Sequence, residues 1–529
     1  MRFLTLLLFS LLFVACARKG TITGGVKDTI PPVMTFSSPK NYTTNFSVSE
    51  IKLEFDEYVR VKDASKQLIV SPPMNPAPEI TPSNASKKLT IKLKDSLLPN
   101  TTYSFNFGNS IQDHNEGNPY HQFTYVFSTG TYIDSLTLGG RIKDAFNPTA
   151  DNFVSVMLYE YNETFYDSII YKENPRYITN TLDSATSFRL NNLKEGKYLL
   201  VALKDNNNNY KFDPKSDKVA FYPKPISIPD DSSLYELELF REILPFKAVR
   251  ISQTAESRAY LAFEGNSKDV TVTASDFNKE IPIKITSLEG KDSLQIWFPN
   301  IKADSLKITA QKDDYFKEFT LKTKKMKADS LTVTASRSGT LNFRDTLGLK
   351  SSTPIEKTDI SKISIMKSDS TFVSFNTKYN DQKQEIKFDF EKSPNQKYVL
   401  TVLPDAITDI YNKSTDTLTF RFNTRDYTDY GNLTLKLNGL KSYPAIVDLT
   451  DVKGKTLASA YIETGNTISF DLLQPELFTI RIIYDENKNG IWDTGNYLEK
   501  RMPEEVIYIS TPIDVRSNWD VEQTINLGG

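Results

Sequence analysis

The run Leu98-Pro99-Asn100-Thr101-Thr102-Tyr103-Ser104-Phe105-Asn106-Phe107 is where the chain declares its secondary structure. Pro99-Asn100 is turn chemistry, and after it Tyr103, Phe105 and Phe107 alternate with Ser104 and Asn106. Side chains on a strand point to opposite faces with a period of two, so this run predicts a strand with one apolar face. The same alternation lies upstream. Ile51, Leu53 and Phe55 alternate with Lys52 and Glu54, and Leu89, Ile91 and Leu93 alternate with Thr90 and Lys92. No long stretch with helical periodicity interrupts these runs. The expectation is an all-β chain of half-buried, antiparallel strands.

Downstream, the run returns in altered form. Tyr103, Phe127 and Thr129 recur as Tyr398, Phe422 and Thr424 at an offset of 295 residues, and Asp113 recurs one place displaced as Asp409. A second pair follows each copy. Tyr198, Leu200 and Ala202 lead into Asp205-Asn206-Asn207-Asn208-Asn209, while Phe478, Ile480 and Ile482 lead into Asp485-Glu486-Asn487-Lys488-Asn489-Gly490. The chain therefore reads as an A–B pair of modules used twice.

The 529 residues are enough for several domains, and 59 Phe and Tyr (32 and 27) favour strands. A formal net charge of −2 with both signs interspersed gives no nucleic-acid footprint. There are two His and one Cys, too few for a zinc ribbon or an intrachain disulfide. His114 and His121 stand near a turn without a Gly-x-Ser-x-Gly elbow, and Asp113, His114, Glu116 and His121 read as a solvated loop rather than a metal site. Lys322, Lys324, Lys325 and Lys327 read as a protected strand edge. Trp297, Trp492 and Trp519 are core residues or, if exposed, platforms for a sugar ring.

The single Cys has a telling position. Arg2 and the apolar stretch Phe3 to Val14 read as a signal peptide over residues 1–15, ending in Phe13-Val14-Ala15-Cys16. This resembles the lipobox of bacterial lipoproteins, with Phe13 where Leu is usual. The resemblance implies a lipid anchor on Cys16, a tether over 16–29, a membrane as partner and an outer-membrane location facing periplasm or surface.

Segments 30–131 and 336–425 resemble bacterial Ig-like domains of the S-layer SbsA type, through Pro31-Pro32, Phe55-Asp56-Glu57, Leu98 to Tyr103, Ile111-Gln112-Asp113 and Phe127-Ser128-Thr129-Gly130. The second copy is degenerate, with Asn395-Gln396-Lys397-Tyr398 in place of the first run. Segments 134–242 and 428–529 resemble transthyretin-like or prealbumin-like sandwiches, through Leu193-Lys194-Glu195-Gly196-Lys197-Tyr198. Segment 243–335 alternates in the same way but resembles no named family. In it, Lys302-Ala303-Asp304-Ser305-Leu306 and Lys327-Ala328-Asp329-Ser330-Leu331 read as two similar strand starts. The resemblance implies tandem Ig-like and prealbumin-like β-sandwiches in a non-catalytic envelope lipoprotein. Its role would be structural or scaffolding. The alternatives are a surface module binding glycan or envelope protein, and an accessory subunit of an envelope enzyme.

Two sets of positions carry further expectations. Asp205, Asn207, Asn209 and Asp213 occupy places 1, 3, 5 and 9 of a loop, as do Asp485, Asn487, Asn489 and Asp493. This spacing resembles the start of an EF-hand calcium loop. The final Glu is missing, with Asp217 or Glu499 as substitutes. The competing reading is a hairpin loop whose Asn and Asp cap turns. Ser96, Ser135, Ser168, Ser184, Ser293, Ser305, Ser330, Thr346 and Thr417 each follow Asp and precede an apolar residue. That pattern resembles the O-glycosylation acceptor of one diderm bacterial group, and it is equally good turn chemistry.

Overall fold

The computed structural model describes residues 27–181, 186–229, 234–276 and 279–527. The signal peptide, Cys16 and Ser184 lie outside them. The described chain is a series of β-sandwiches with five apolar cores, and among the described residues no helix is long and apolar enough to cross a membrane.

In sandwich 1 the alternation is carried through. Strand Glu50–Val61 sits between Met34–Ser38 and Ser86–Lys92, and a second sheet of Ile69–Ser71, Thr102–Asn106 and Thr124–Ser128 faces it. Ile51, Leu53, Leu89, Ile91, Phe105 and Phe127 meet in the core. Full burial of such a side chain contributes about 1.5–3 kcal/mol, so the inward face holds the sheets together.

Sandwich 4 repeats the design, and the recurring residues do the same work in both copies. The Tyr103 hydroxyl accepts a hydrogen bond from the Leu98 amide at 2.8 Å, and the Tyr398 hydroxyl accepts one from Ser393 at 2.7 Å. Tyr103 stacks on Phe127 at 5.3 Å, and Tyr398 stacks on Phe422 at 5.4 Å. Thr129 donates to the Leu98 carbonyl at 2.7 Å, and Thr424 donates to that of Ser393 at 2.6 Å. Asp113 and Asp409 are both buried and each accepts from amides of the turn that follows.

Sandwiches 2 and 5 share a different topology. In the first, Leu136–Asp144 pairs antiparallel with Ser187–Leu193 and parallel with Tyr235–Leu239. In the other, Gly431–Asn438 pairs antiparallel with Thr467–Leu473 and parallel with Asp520–Asn526. Each packs on a second sheet whose centre is Ser155–Glu160 with Gly196–Lys204, or Ala445–Thr450 with Glu476–Tyr484. These four strands are buried on both faces over most of their length. Alternation is absent there because something covers the outer face as well.

Sandwich 3 packs the sheet Lys247–Ala255, Arg258–Glu264, Ser293–Trp297 and Lys284–Ser287 on a sheet of Glu280–Ile281, Thr271–Ser275, Ser305–Lys312 and Tyr315–Lys322. Two sequence expectations need correction here. Ser305 does open a strand, but Lys327 to Leu331 are extended connector, and the next strand is Val333–Ala335. That strand pairs with Leu347–Ser351, so the sheet of sandwich 4 draws on residues ahead of 336. Of the four lysines read as a strand edge, only Lys322 is in a strand; Lys324, Lys325 and Lys327 lie in the connector.

Candidate functional site

The outer face of sandwich 2 is covered partly by its own residues, Ile169, Ile170 and Phe212, and partly by the other B-type sandwich. The chain turns back so that sandwich 5 docks on sandwich 2, and the two Asp/Asn loops show how.

In the first loop, Asp205 accepts from the amides of Asn207 at 3.0 Å and Tyr210 at 2.7 Å. Asp217, just ahead of strand Lys218–Phe221, reaches back to the amides of Asn206 and Asp213 at 3.0 and 2.9 Å. The second loop repeats this. Asp485 accepts from Asn489 and Gly490 at 3.1 and 2.8 Å, and Glu504 takes the place of Asp217, accepting from Glu486 and Asp493 at 2.9 Å each. Each loop is thus bolted shut by a carboxylate from its far end. Burial raises the carboxyl of Asp205 above its ordinary value, and the neighbouring Asp217 adds to this against the pull of the amides. Burial raises Glu504 likewise, with Asp493 and Asp485 nearby.

Of the positions singled out for calcium, Asn487 and Asn489 both donate to Asp493 at 2.6 Å, so three of the second set come together. In the first set Asn209 and Asp213 bond instead to the amides of Lys211 and Lys215. Glu499 is not the closing carboxylate, since it pairs with Arg501 at 3.1 Å; Glu504 is, and the sequence reading missed it. Among the described residues no group of three or more His, Cys, Asp or Glu is arranged to hold a metal ion.

Asp217 stands twelve positions after Asp205, and Glu504 nineteen positions after Asp485. The excess of seven falls after Asp493, and the residues there are the ones that grip sandwich 2. Thr494 donates to the Arg241 carbonyl at 2.8 Å, and the Tyr497 amide donates to Glu242 at 2.6 Å. The Tyr497 ring, 0% exposed, enters an apolar cluster of sandwich 2, edge-on to Phe221 at 5.4 Å and 6.2 Å from Tyr171. Lys500 lies 4.1 Å over that ring and pairs with Asp167 at 3.0 Å. Gly495 is required by close approach, because a Cβ there would stand 2.7 Å from the Phe240 ring.

Beside this clasp a second contact is polar at its heart. Arg481 and Asp448 are buried and paired, and the Arg481 guanidinium lies 4.1 Å over the ring of Phe146 from sandwich 2. The Tyr508 hydroxyl donates to the Phe146 carbonyl at 2.7 Å, and Trp492 packs on Phe146 at 4.7 Å. Every remaining donor of a buried pair needs a partner, and here Thr456, Gly454 and Tyr508 accept from Arg481. Trp492 therefore belongs to an interface, Trp297 to the core, and Trp519, at 53% exposure, to the surface.

The other expected sites are dispersed. The His121 ring pairs with Asn109 at 3.0 Å, and Asp113 is engaged by amides. Burial alone would raise Asp113, but the amides of Glu116, Asn118 and Gly117 hold it below the ordinary carboxylate range. Ser96, Ser135, Ser330, Thr346 and Thr417 are exposed, while Ser168, Ser293 and Ser305 are half-buried. Most stand at or just before a strand start.

Residues 28–129 match the family model of the bacterial Ig-like domain, and the first sandwich is such a domain. Among solved structures, domains 1–6 of surface layer protein SbsC are 11% identical over 92% of this chain and 67% of that one, with a TM-score of 0.15. The I67–I69 fragment of titin is 9% identical over 54% of this chain and 100% of its own, with a TM-score of 0.13. None of the curated proteins matches.

Proposed function

We propose that the protein is a non-catalytic scaffold of the bacterial envelope, tethered by lipid on Cys16, whose sandwiches form one braced body. The clasp carries this reading, because it places a buried ion pair and a buried ring at the joint between sandwiches 2 and 5. Besides the 2–5 contact, Thr102 donates to Asp134 at 2.7 Å between sandwiches 1 and 2, and Tyr430 donates to Asn342 at 2.9 Å between 4 and 5. Such joints cost design and stiffen the whole, which suits a part that must hold a position. Lipid chains contribute about 0.8 kcal/mol per buried methylene, and several together anchor stably. Within this reading the Asp-Ser and Asp-Thr sites carry O-linked sugars. Fatty-acid labelling of the native protein tests the anchor. Label on the parent and none on Cys16→Ser is expected. Label that persists in the variant overturns the tether, and an intact mass equal to bare polypeptide plus lipid removes the sugars.

A further inference from the structure

A cleft of about 710 Å³ opens between sandwiches 3 and 4, away from the clasp. Its lining is mixed, and the apolar part comes from Pro282, Ile283, Phe298 and Pro299 of one sandwich and Ile410 and Tyr411 of the other. Tyr411 bridges the two, its hydroxyl donating to the Ser257 carbonyl at 2.8 Å. Charge at the cleft is unevenly satisfied. Arg258 pairs with Asp329 at 2.9 Å, Lys284 with Asp381 at 3.2 Å, and Lys413 donates to the Asp329 carbonyl at 2.6 Å. Glu256 and Glu356, one from each sandwich, line the same cleft, and their side chains make no ion pair or hydrogen bond within the described chain.

Arg258 and Lys284 are thus each paired with a carboxylate, Lys413 is held by a carbonyl, and two carboxylates have no partner among the described residues. A complementary occupant brings positive charge on an apolar stem, since the walls reward burial of methylenes and the carboxylates reward an ammonium. We infer that this cleft binds an alkylammonium group, the chemistry of a lysine side chain presented by a partner polypeptide, held between Glu256 and Glu356. An occupant so held touches both sandwiches and adds to the contacts that already join them, Tyr411 to Ser257 and Lys284 to Asp381.

The test uses the full chain and three probes of equal length: hexylammonium, hexanol and hexanoate, followed by saturation-transfer NMR. Hexylammonium should bind, hexanol about tenfold more weakly, and hexanoate not at all. The double variant Glu256→Gln, Glu356→Gln should lose about tenfold for hexylammonium with its melting unchanged. A blocked lysine tripeptide that binds at least as well as hexylammonium points to a polypeptide source; one that is excluded overturns that source. Equal binding of hexanoate, or undiminished hexylammonium binding by the double variant, overturns the site.

Discussion

Tyr103 and Tyr398 show how one residue sets a corner of a sandwich. Each ring stacks in the core while its hydroxyl ties down the amide five residues earlier, so the turn and the following strand are joined by one side chain. Tyr103→Phe and Tyr398→Phe should each cost about 0.5–1.5 kcal/mol in denaturant unfolding of their own sandwich, with similar values in the two copies. No loss in either would mean that the hydroxyl only decorates the turn. Glu242 carries a different signal. Burial raises its carboxyl above the ordinary value, and the Tyr497 amide draws it partly back. A raised acid holds its proton in the folded state where the unfolded chain has lost it. Its contribution is therefore complete below the ordinary carboxylate value and is lost as pH rises through the folded value. Glu242→Gln does not titrate. The melting temperature of the variant relative to the parent should thus climb as pH rises above the ordinary carboxylate range. A flat difference would show that Glu242 titrates as an ordinary carboxylate.

The clasp is the element with the clearest internal control. The loop of sandwich 2 closes with the same carboxylate bolt and lacks the seven extra residues, so a shortened second loop has a working precedent within the chain. Cutting seven residues between Asp493 and Glu504 should leave sandwich 5 folded and open the 2–5 joint. Faster hydrogen exchange along Lys218–Phe221 would report it. Tyr497→Ala should weaken the joint by about 3–5 kcal/mol, as loss of a buried aromatic does. Tyr497→Phe should leave it intact or slightly firmer, because the Tyr497 hydroxyl is buried with no hydrogen-bond partner. A Phe variant as loose as the Ala variant would contradict the packing described.

At the scale of the molecule, closure makes distant parts of the chain depend on one another. Sandwiches 2, 3, 4 and 5 follow in sequence, and the clasp returns the last to the first of them. The outer sheet of sandwich 2 carries Met157, Tyr159, Val201, Leu203 and Phe221 on the covered side, and Tyr497, Trp492 and Met502 of sandwich 5 supply part of that cover. Leu435→Ala, a core change in sandwich 5 expected to cost about 2–5 kcal/mol, should therefore lower protection in sandwich 2 as well. Sandwich 1, joined to sandwich 2 through Thr102 and Asp134, should lose less. Equal protection of sandwich 2 in parent and variant would mean that the two fold independently.

The strands, the paired repeat and the all-β class follow from local pattern, because the period-two alternation and turn chemistry act over a few residues. Tyr103, Phe127 and Thr129 with their copies at 295 residues already contain the equivalence of sandwiches 1 and 4. Part of the docking was also legible. Tyr198 to Leu203 and Val156 to Tyr159 are continuous apolar runs, the mark of a sheet covered on both faces, and reading only Tyr198, Leu200 and Ala202 passed over it. The identity of the cover was not legible, nor was the role of Glu504. Tyr497 meets Glu242 and Phe221, residues more than 250 positions away, and no local propensity encodes such a pairing. Complementarity between two surfaces exists only once both have folded, which is why the strands could be read from the chain and the clasp needed the tertiary structure.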